Sequence, residues 1–173
     1  FINEIMENAE RAKLKKVFSV STDKTVRPAN LMGATKNLME SALFANPGRV
    51  DVASARFANV AFSDGGLLQG FVSRLENGHP LAGPSDIKRY FISRDEAGQL
   101  CLLAGFLGAN RDIYFPRLES NTHLRSFPEI ATQFLRHHGL EPEFCDSAEQ
   151  ARELAGQTPG RWPCYFAPSD TTG

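Results

Sequence analysis

The sequence predicts an α/β fold: part of a doubly wound parallel sheet, followed by a smaller α/β region. Three observations carry that expectation. The run Lys15-Lys16-Val17-Phe18-Ser19-Val20 reads as a short buried strand, the stretch after Pro28 as a helix, and Val50-Asp51-Val52-Ala53-Ser54-Ala55-Arg56-Phe57 as a second strand. A strand–helix–strand succession needs a crossover, which makes the two strands parallel. The polar cluster Ser21-Thr22-Asp23-Lys24 then falls at the C-terminal end of the first strand, where open parallel sheets bind their ligands.

Taken in order, Ile2, Ile5, Ala9, Ala12 and Leu14 form an amphipathic helix that feeds the first strand. Asn30 is placed to cap the next helix, whose stripe runs through Leu31, Ala34, Leu38, Ala42 and Leu43 to Phe44, with Asn46-Pro47-Gly48 as the stop. After Asn59 the pattern changes. Ser63-Asp64-Gly65-Gly66 is a turn, Leu67 to Leu75 a helix, and the breaker-rich 79–84 segment irregular or an edge strand. A helix from Asp95 to Leu107, a strand at 112–115, a helix from Pro128 to His138, a strand at Phe144-Cys145 and a helix Ala148–Leu154 follow. From Gly156 the chain is expected to be extended, with Trp162-Pro163-Cys164-Tyr165-Phe166 docking on the body or on a partner subunit.

Composition narrows the function classes. A charged fraction of 23% with a net charge of −1 offers no basic surface, so neither nucleic acid nor an anionic membrane is expected as a partner. No apolar run approaches the ~20 residues of a membrane span, so no membrane insertion is expected in this segment. Cys101, Cys145 and Cys164 are odd in number, well separated and without a C-x-x-C, which fits reduced thiols and a cytoplasmic location. His79, His123, His137 and His138 lack metal-ligand spacing, and no metal is assigned.

The chemistry-bearing residues gather around the first strand–helix junction. Thr22 offers a hydroxyl, Asp23 a carboxyl, and Lys24 and Lys36 two amines, a set suited to acid–base work on a polyol. On a helix Met32 and Lys36 are four residues apart and share a face.

Ser21-Thr22-Asp23-Lys24, the Pro28 and Asn30 that follow, and Met32-Gly33-Ala34-Thr35-Lys36 resemble the extended short-chain dehydrogenase/reductase superfamily. More narrowly, they look like its nucleotide-sugar 4,6-dehydratases of polysaccharide biosynthesis, with their S-T-D-K and (M/Y)-G-A-T-K pattern. Arg56-Phe57-Ala58-Asn59-Val60 and Arg89-Tyr90-Phe91-Ile92-Ser93 with Glu96-Ala97 extend the resemblance over roughly the first two-thirds of the chain.

The resemblance implies that residues 1–62 end a Rossmann-type NAD(P)-binding domain and that 63–173 form a nucleotide-sugar-binding domain with an extended tail. It implies Asp23 as the acid for the C6 hydroxyl and Lys24 as the base for C5. Thr22 stands beside them in the catalytic segment. Ser21 and Lys36 fall on the side of the cofactor, NAD or NADP, and Lys36 is expected to supply the second cation that makes Lys24 a workable base. Asn59 and Arg89 are expected on the substrate side, where Arg89 suits a phosphate. Met32 stands where the superfamily usually has a Tyr base, and a thioether has no proton to exchange. Either another group takes over, as in the active Met-bearing subgroup, or Met32 is core packing in an inactive paralogue. Asp64 stands where the family commonly has Arg.

The family's G-x-G-x-x-G turn is missing from the sequence, so the chain is read as the C-terminal part of a longer enzyme. The expected activity is dehydration of a UDP-sugar, UDP-N-acetylglucosamine, to its 4-keto-6-deoxy form. A UDP-sugar epimerase or 4-reductase, or a non-catalytic nucleotide-sugar-binding paralogue, are the alternatives. A homodimer or larger assembly is expected through the helices around Ile2–Leu14 and Asn30–Phe44. Met39 and Phe44 of the second helix supply the apolar surface beyond a single stripe.

Overall fold

The structure, a computed structural model, describes residues 1–28, 30–45 and 50–169. Helix α1 (Ile2–Arg11) leads into strand β1 (Lys16–Thr22) and a single 3-10 turn, Asp23–Thr25. Helix α2 (Leu31–Ala45), strand β2 (Asp51–Phe57) and the two-residue strand β3 (Asn59–Val60) follow. Next come helix α3 (Leu67–Glu76) and strands β4 (Leu81–Pro84) and β5 (Lys88–Ile92). Helix α4 (Arg94–Leu102) runs into a π-helical turn, Leu103–Leu107, and then strand β6 (Asp112–Tyr114). The chain ends with helix α5 (Ser120–His123), strand β7 (Leu124–Ser126), helix α6 (Phe127–His137), strand β8 (Glu141–Phe144), helix α7 (Ala148–Leu154) and strand β9 (Arg161–Ala167). The expected Asn46-Pro47-Gly48 stop lies outside the described residues.

The chain divides into two compact units, Phe1–Val60 with Ile92–Leu118, and Ala61–Phe91 with Glu119–Gly173. The sequence expectation placed one cut near residue 62. The structure instead returns residues 92–118 to the first unit, because β6 extends its sheet and α4 covers it.

In the first unit β1 pairs in parallel with β2 from Lys16↔Asp51 to Thr22↔Phe57, and β2 pairs in parallel with β6. Side chains alternate across a strand, so Val17 and Val52 meet α1 and α2, packing with Met6, Ala9 and Leu43. Phe18, Ala55 and Phe57 point the other way and pack against Ala97 and Ala104 of α4 and its π-helical turn. Helices cover both faces, which is why the central strand β2 is buried almost without interruption. This is the doubly wound arrangement the sequence predicts.

The second unit is organised around a parallel sheet of order β4–β9–β8. Phe71 of α3, Leu81 of β4, Ala131 and Leu135 of α6 and Cys164 of β9 are fully buried together. The Trp162–Phe166 segment is therefore the middle strand of a sheet, not a docked tail. Its Trp162 Nε1 donates to the His79 carbonyl at 3.1 Å, and burial pushes the Cys164 thiol up to about 12, so it stays protonated. Strands β5 and β7 pair antiparallel, from Lys88↔Ser126 to Tyr90↔Leu124. Ser93 and Ser126 each start their helices, α4 and α6, with a reciprocal capping box to Glu96 and Glu129.

An ion pair lies inside the first unit. Glu40 of α2, only 4% exposed, faces the sheet, and Arg56 of β2 meets it with Nε at 3.0 and 3.2 Å and Nη2 at 2.5 Å. Burial pushes the Glu40 carboxyl up. The Arg56 hydrogen bonds, the Ser21 hydroxyl and the charges of Arg56 and Lys36 outweigh that and hold it below its ordinary 4.5. The Ser21 hydroxyl faces the pair from β1 without a hydrogen bond of regular geometry.

A lowered folded-state pKa means that the pair's contribution is complete above pH 4.5 and is lost as pH falls through the folded value. Arg56→Ala, which strands the carboxylate, is expected to cost about 3–5 kcal/mol in urea unfolding of the full-length protein at neutral pH. The deficit should narrow on acidification, because protonation relieves the stranded carboxylate while the wild type weakens. A pH-independent deficit below about 1 kcal/mol would instead describe a surface pair.

Candidate functional site

The 3-10 turn at the end of β1 carries the candidate acid and base. Thr22 caps it: its Oγ1 accepts from the Lys24 backbone N–H at 3.4 Å and donates to Asp23 Oδ1 at 3.0 Å. Lys24 Nζ lies 3.4 Å from Asp23 Oδ1 and 3.4 Å from Asn59 Oδ1, which comes from β3. The Asp23 and Lys24 side chains are 48% and 35% exposed. An ion pair that open adds little to stability.

The turn is held against α2. Asn30 Oδ1 accepts from the Gly33 N–H at 2.9 Å and caps the helix, as its sequence position predicts. Gly33 lets the helix approach: a Cβ there would stand 2.8 Å from the Lys24 carbonyl oxygen and 3.2 Å from Pro28 Cα. One turn on, Asn37 Nδ2 donates to the Thr25 carbonyl at 3.0 Å, and the fully buried Thr25 donates to the Thr22 carbonyl at 2.8 Å. Helix and turn are thus one unit.

Lys36 projects from α2 toward β1, its Nζ donating to the Val20 carbonyl at 3.3 Å and lying 3.9 Å from the Met39 sulfur. An ammonium carries three donors and a thioether is a weak acceptor, so Lys36 retains capacity for a ligand hydroxyl. Lys24 and Lys36 take different partners, and the expected contact between them is not part of the geometry. Met32 is 47% exposed and belongs to none of the core clusters, which removes the core-packing explanation for it.

A cavity of about 270 Å³ opens beyond the carboxyl ends of β1, β2 and β6, where the topology expects a ligand. Asp23, Val26, Arg56, Ala58 and Phe115 line it. In the second unit Arg89 borders a groove of about 460 Å³ with Leu67, Gly83, Pro84 and Phe127.

Three expected placements change. Ser21 is buried beneath α2 against Glu40, not presented to a cofactor. Asn59 receives the Lys24 ammonium. On α2, Met39 and Phe44 are half-buried, and Leu31 and Leu38 face outward at 80% and 68% exposure. Glu40, Gly33 and Asn37 were not singled out from the sequence. A Glu one turn beyond Lys36 on the helix's inward side was the available signal for the first. Among the described residues, no group of three or more His, Cys, Asp or Glu could hold a metal ion, and no helix is long and apolar enough to cross a membrane.

A helix-covered parallel sheet with a carboxylate and lysines at its carboxyl end is an arrangement found in Rossmann-type proteins. The chain belongs to the polysaccharide biosynthesis protein family, which it matches over residues 2–161. The capsular polysaccharide biosynthesis protein CapD of Staphylococcus aureus is 32% identical over 114 residues, covering 64% of this chain and 19% of CapD. A UDP-glucose 4-epimerase of Rickettsia massiliae is 31% identical over 125 residues, covering 68% of this chain and 36% of the epimerase. A double mutant of the dTDP-glucose 4,6-dehydratase DesIV of Streptomyces venezuelae, solved with NAD bound, shares the fold. The TM-score is 0.63 at 17% identity, covering 97% of this chain and 55% of that chain. The chain therefore spans only part of the length of each of these relatives.

Gly33→Ala should push α2 off the Asp23–Thr25 turn and destabilise the protein by about 1–3 kcal/mol. Gly98→Ala is the control: this helical glycine has nothing within 4 Å of an added Cβ. It should be stabilising by about 0.5–1 kcal/mol. Urea unfolding of the two variants checks the pair, and equal effects would contradict the close approach at Gly33.

Proposed function

We propose that the full-length protein dehydrates a UDP-sugar, UDP-N-acetylglucosamine, to the 4-keto-6-deoxy sugar for surface polysaccharide synthesis. The observation that carries this reading is the Asp23–Lys24 pair at 3.4 Å beside the cavity at the end of the parallel sheet. Lys36, with donors to spare at the end of β1, would hold part of a nicotinamide cofactor, NAD or NADP, which would supply hydride chemistry at C4 and C6. Oxidation at C4 sends the hydroxyl proton to the Asp23 carboxylate, and the resulting ketone makes the C5 proton acidic. Lys24 Nζ takes that C5 proton while Asp23 passes its proton to the departing C6 hydroxyl, so that the C6–O bond breaks and water leaves; Lys24 then returns a proton to C5 as hydride reaches C6. Thr22, hydrogen-bonded to Asp23 and capping the turn, keeps the carboxyl in place. Arg89 suits the diphosphate, and the apolar side chains around its groove suit the nucleotide.

Epimerisation at C4 by a UDP-sugar epimerase, the alternative suggested by the Rickettsia relative, needs no acid for C6, and the Asp23–Lys24 pair would then be idle. A non-catalytic paralogue draws on Met32 alone, and that residue's half-exposed place beside the turn is not that of a packing side chain.

Asp23→Asn and Lys24→Ala are expected to lower dehydration of UDP-N-acetylglucosamine at least about 100-fold, with Met32→Ala less damaging. Mass spectrometry of the product, reading the loss of water, checks this. Conversion to the C4 epimer with no loss of water would favour the alternative.

We also propose a homodimer through α1 and α2, since Leu31 and Leu38, seven residues apart, leave an apolar stripe on the outer face of α2. Leu38→Glu should convert the dimer to monomer in light scattering at micromolar concentration. A wild type that is already monomeric would exclude it.

A further inference from the structure

Lys24 sits on a half-exposed turn, and a lysine side chain there has a long, flexible stem. Its neighbour Asp23 belongs to the same turn and cannot tie the ammonium to another segment of the chain. Asn59 can, because it stands on β3, thirty-five positions along the chain, and its Oδ1 accepts from Lys24 Nζ at 3.4 Å. The direction of that hydrogen bond matters. A carbonyl oxygen engages an N–H of the amine or of the ammonium, so the contact survives either protonation state. It also leaves the nitrogen lone pair pointing elsewhere, available to a C–H proton. An amide nitrogen facing Lys24 would occupy that lone pair and block it.

We propose that Asn59 is a positioning residue for Lys24, its side-chain carbonyl aiming the amine at the substrate's C5 while Asp23 stays free to serve C6. This rests on the reading of Lys24 as the C5 base. It departs from the expectation that Asn59 acts as a substrate ligand. A base misplaced by an ångström loses catalytic power with little change in ground-state binding, so the consequence is a split between kcat and KM.

The test uses the full-length protein with UDP-N-acetylglucosamine in deuterated buffer. Three quantities are read: cofactor reduction on C4 oxidation, deuterium incorporation at C5, and KM. Asn59→Ala is expected to slow C5 exchange and dehydration about 100-fold while leaving C4 oxidation and KM near wild type. Asn59→Asp keeps an acceptor oxygen at the same reach but adds a negative charge that favours the Lys24 ammonium, so exchange should stay slow at neutral pH and recover as the pH is raised. Retained C4 oxidation shows that the variants are folded. A raised KM with unchanged C5 exchange would make Asn59 a substrate ligand and overturn the proposal. Equal loss of C4 oxidation in both variants would make its role structural and overturn it too. Absence of C5 exchange and dehydration in the wild type would overturn the underlying dehydratase reading, and is told apart because it needs no substitution.

Discussion

The buried ion pair between Glu40 and Arg56 is the constraint on which the first unit depends. A carboxylate only 4% exposed is tolerable only with its partner in place, and that partner is on the neighbouring strand. The pair therefore sets how α2 lies across β1 and β2, and it does so with directional bonds where apolar packing alone would let the helix slide. Lys36 is one turn from Glu40 and contributes to holding that carboxyl ionised. Arg56 also lines the cavity that Asp23 reaches. One interaction thus links the helix, the sheet and the cavity wall.

The Asp23–Thr25 turn inherits its position from that arrangement. Gly33 brings the start of α2 to within contact of the Lys24 backbone, and Asn37 fastens the helix to Thr25. The turn is short, open and polar, and few contacts of its own would hold it. Its rigidity comes from the helix. The result is a half-exposed pair of reactive groups on a well-supported base, which is what acid–base chemistry at a sheet end requires.

The second unit solves a different problem. Its sheet places β9 between β4 and β8, so the last described strand closes a core begun by Phe71 and Leu81. The groove bordered by Arg89 is built on elements nearly eighty residues apart in sequence.

Much of this was legible in the sequence. Strand–helix–strand order with apolar stripes dictated the parallel pairing of β1 and β2, since periodicity and crossover geometry are local properties. The S-T-D-K segment and Asn30 located the polar end of β1 and the helix cap for the same reason: each is a short stretch whose spacing carries its meaning. Partners were another matter. That Arg56 meets Glu40, that Lys24 reaches Asn59 and not Lys36, that Ser21 is buried, and that residues 92–118 return to the first unit depend on contacts between distant segments. So does the central place of β9, whose Pro, Gly and Thr neighbours disguised it as a tail. Such contacts are decided by how helices and strands stack, and local composition does not encode that. The sequence by itself determined which segments form the parallel strands and the helix between them, because periodicity is local; the tertiary structure alone decided what each polar side chain faces.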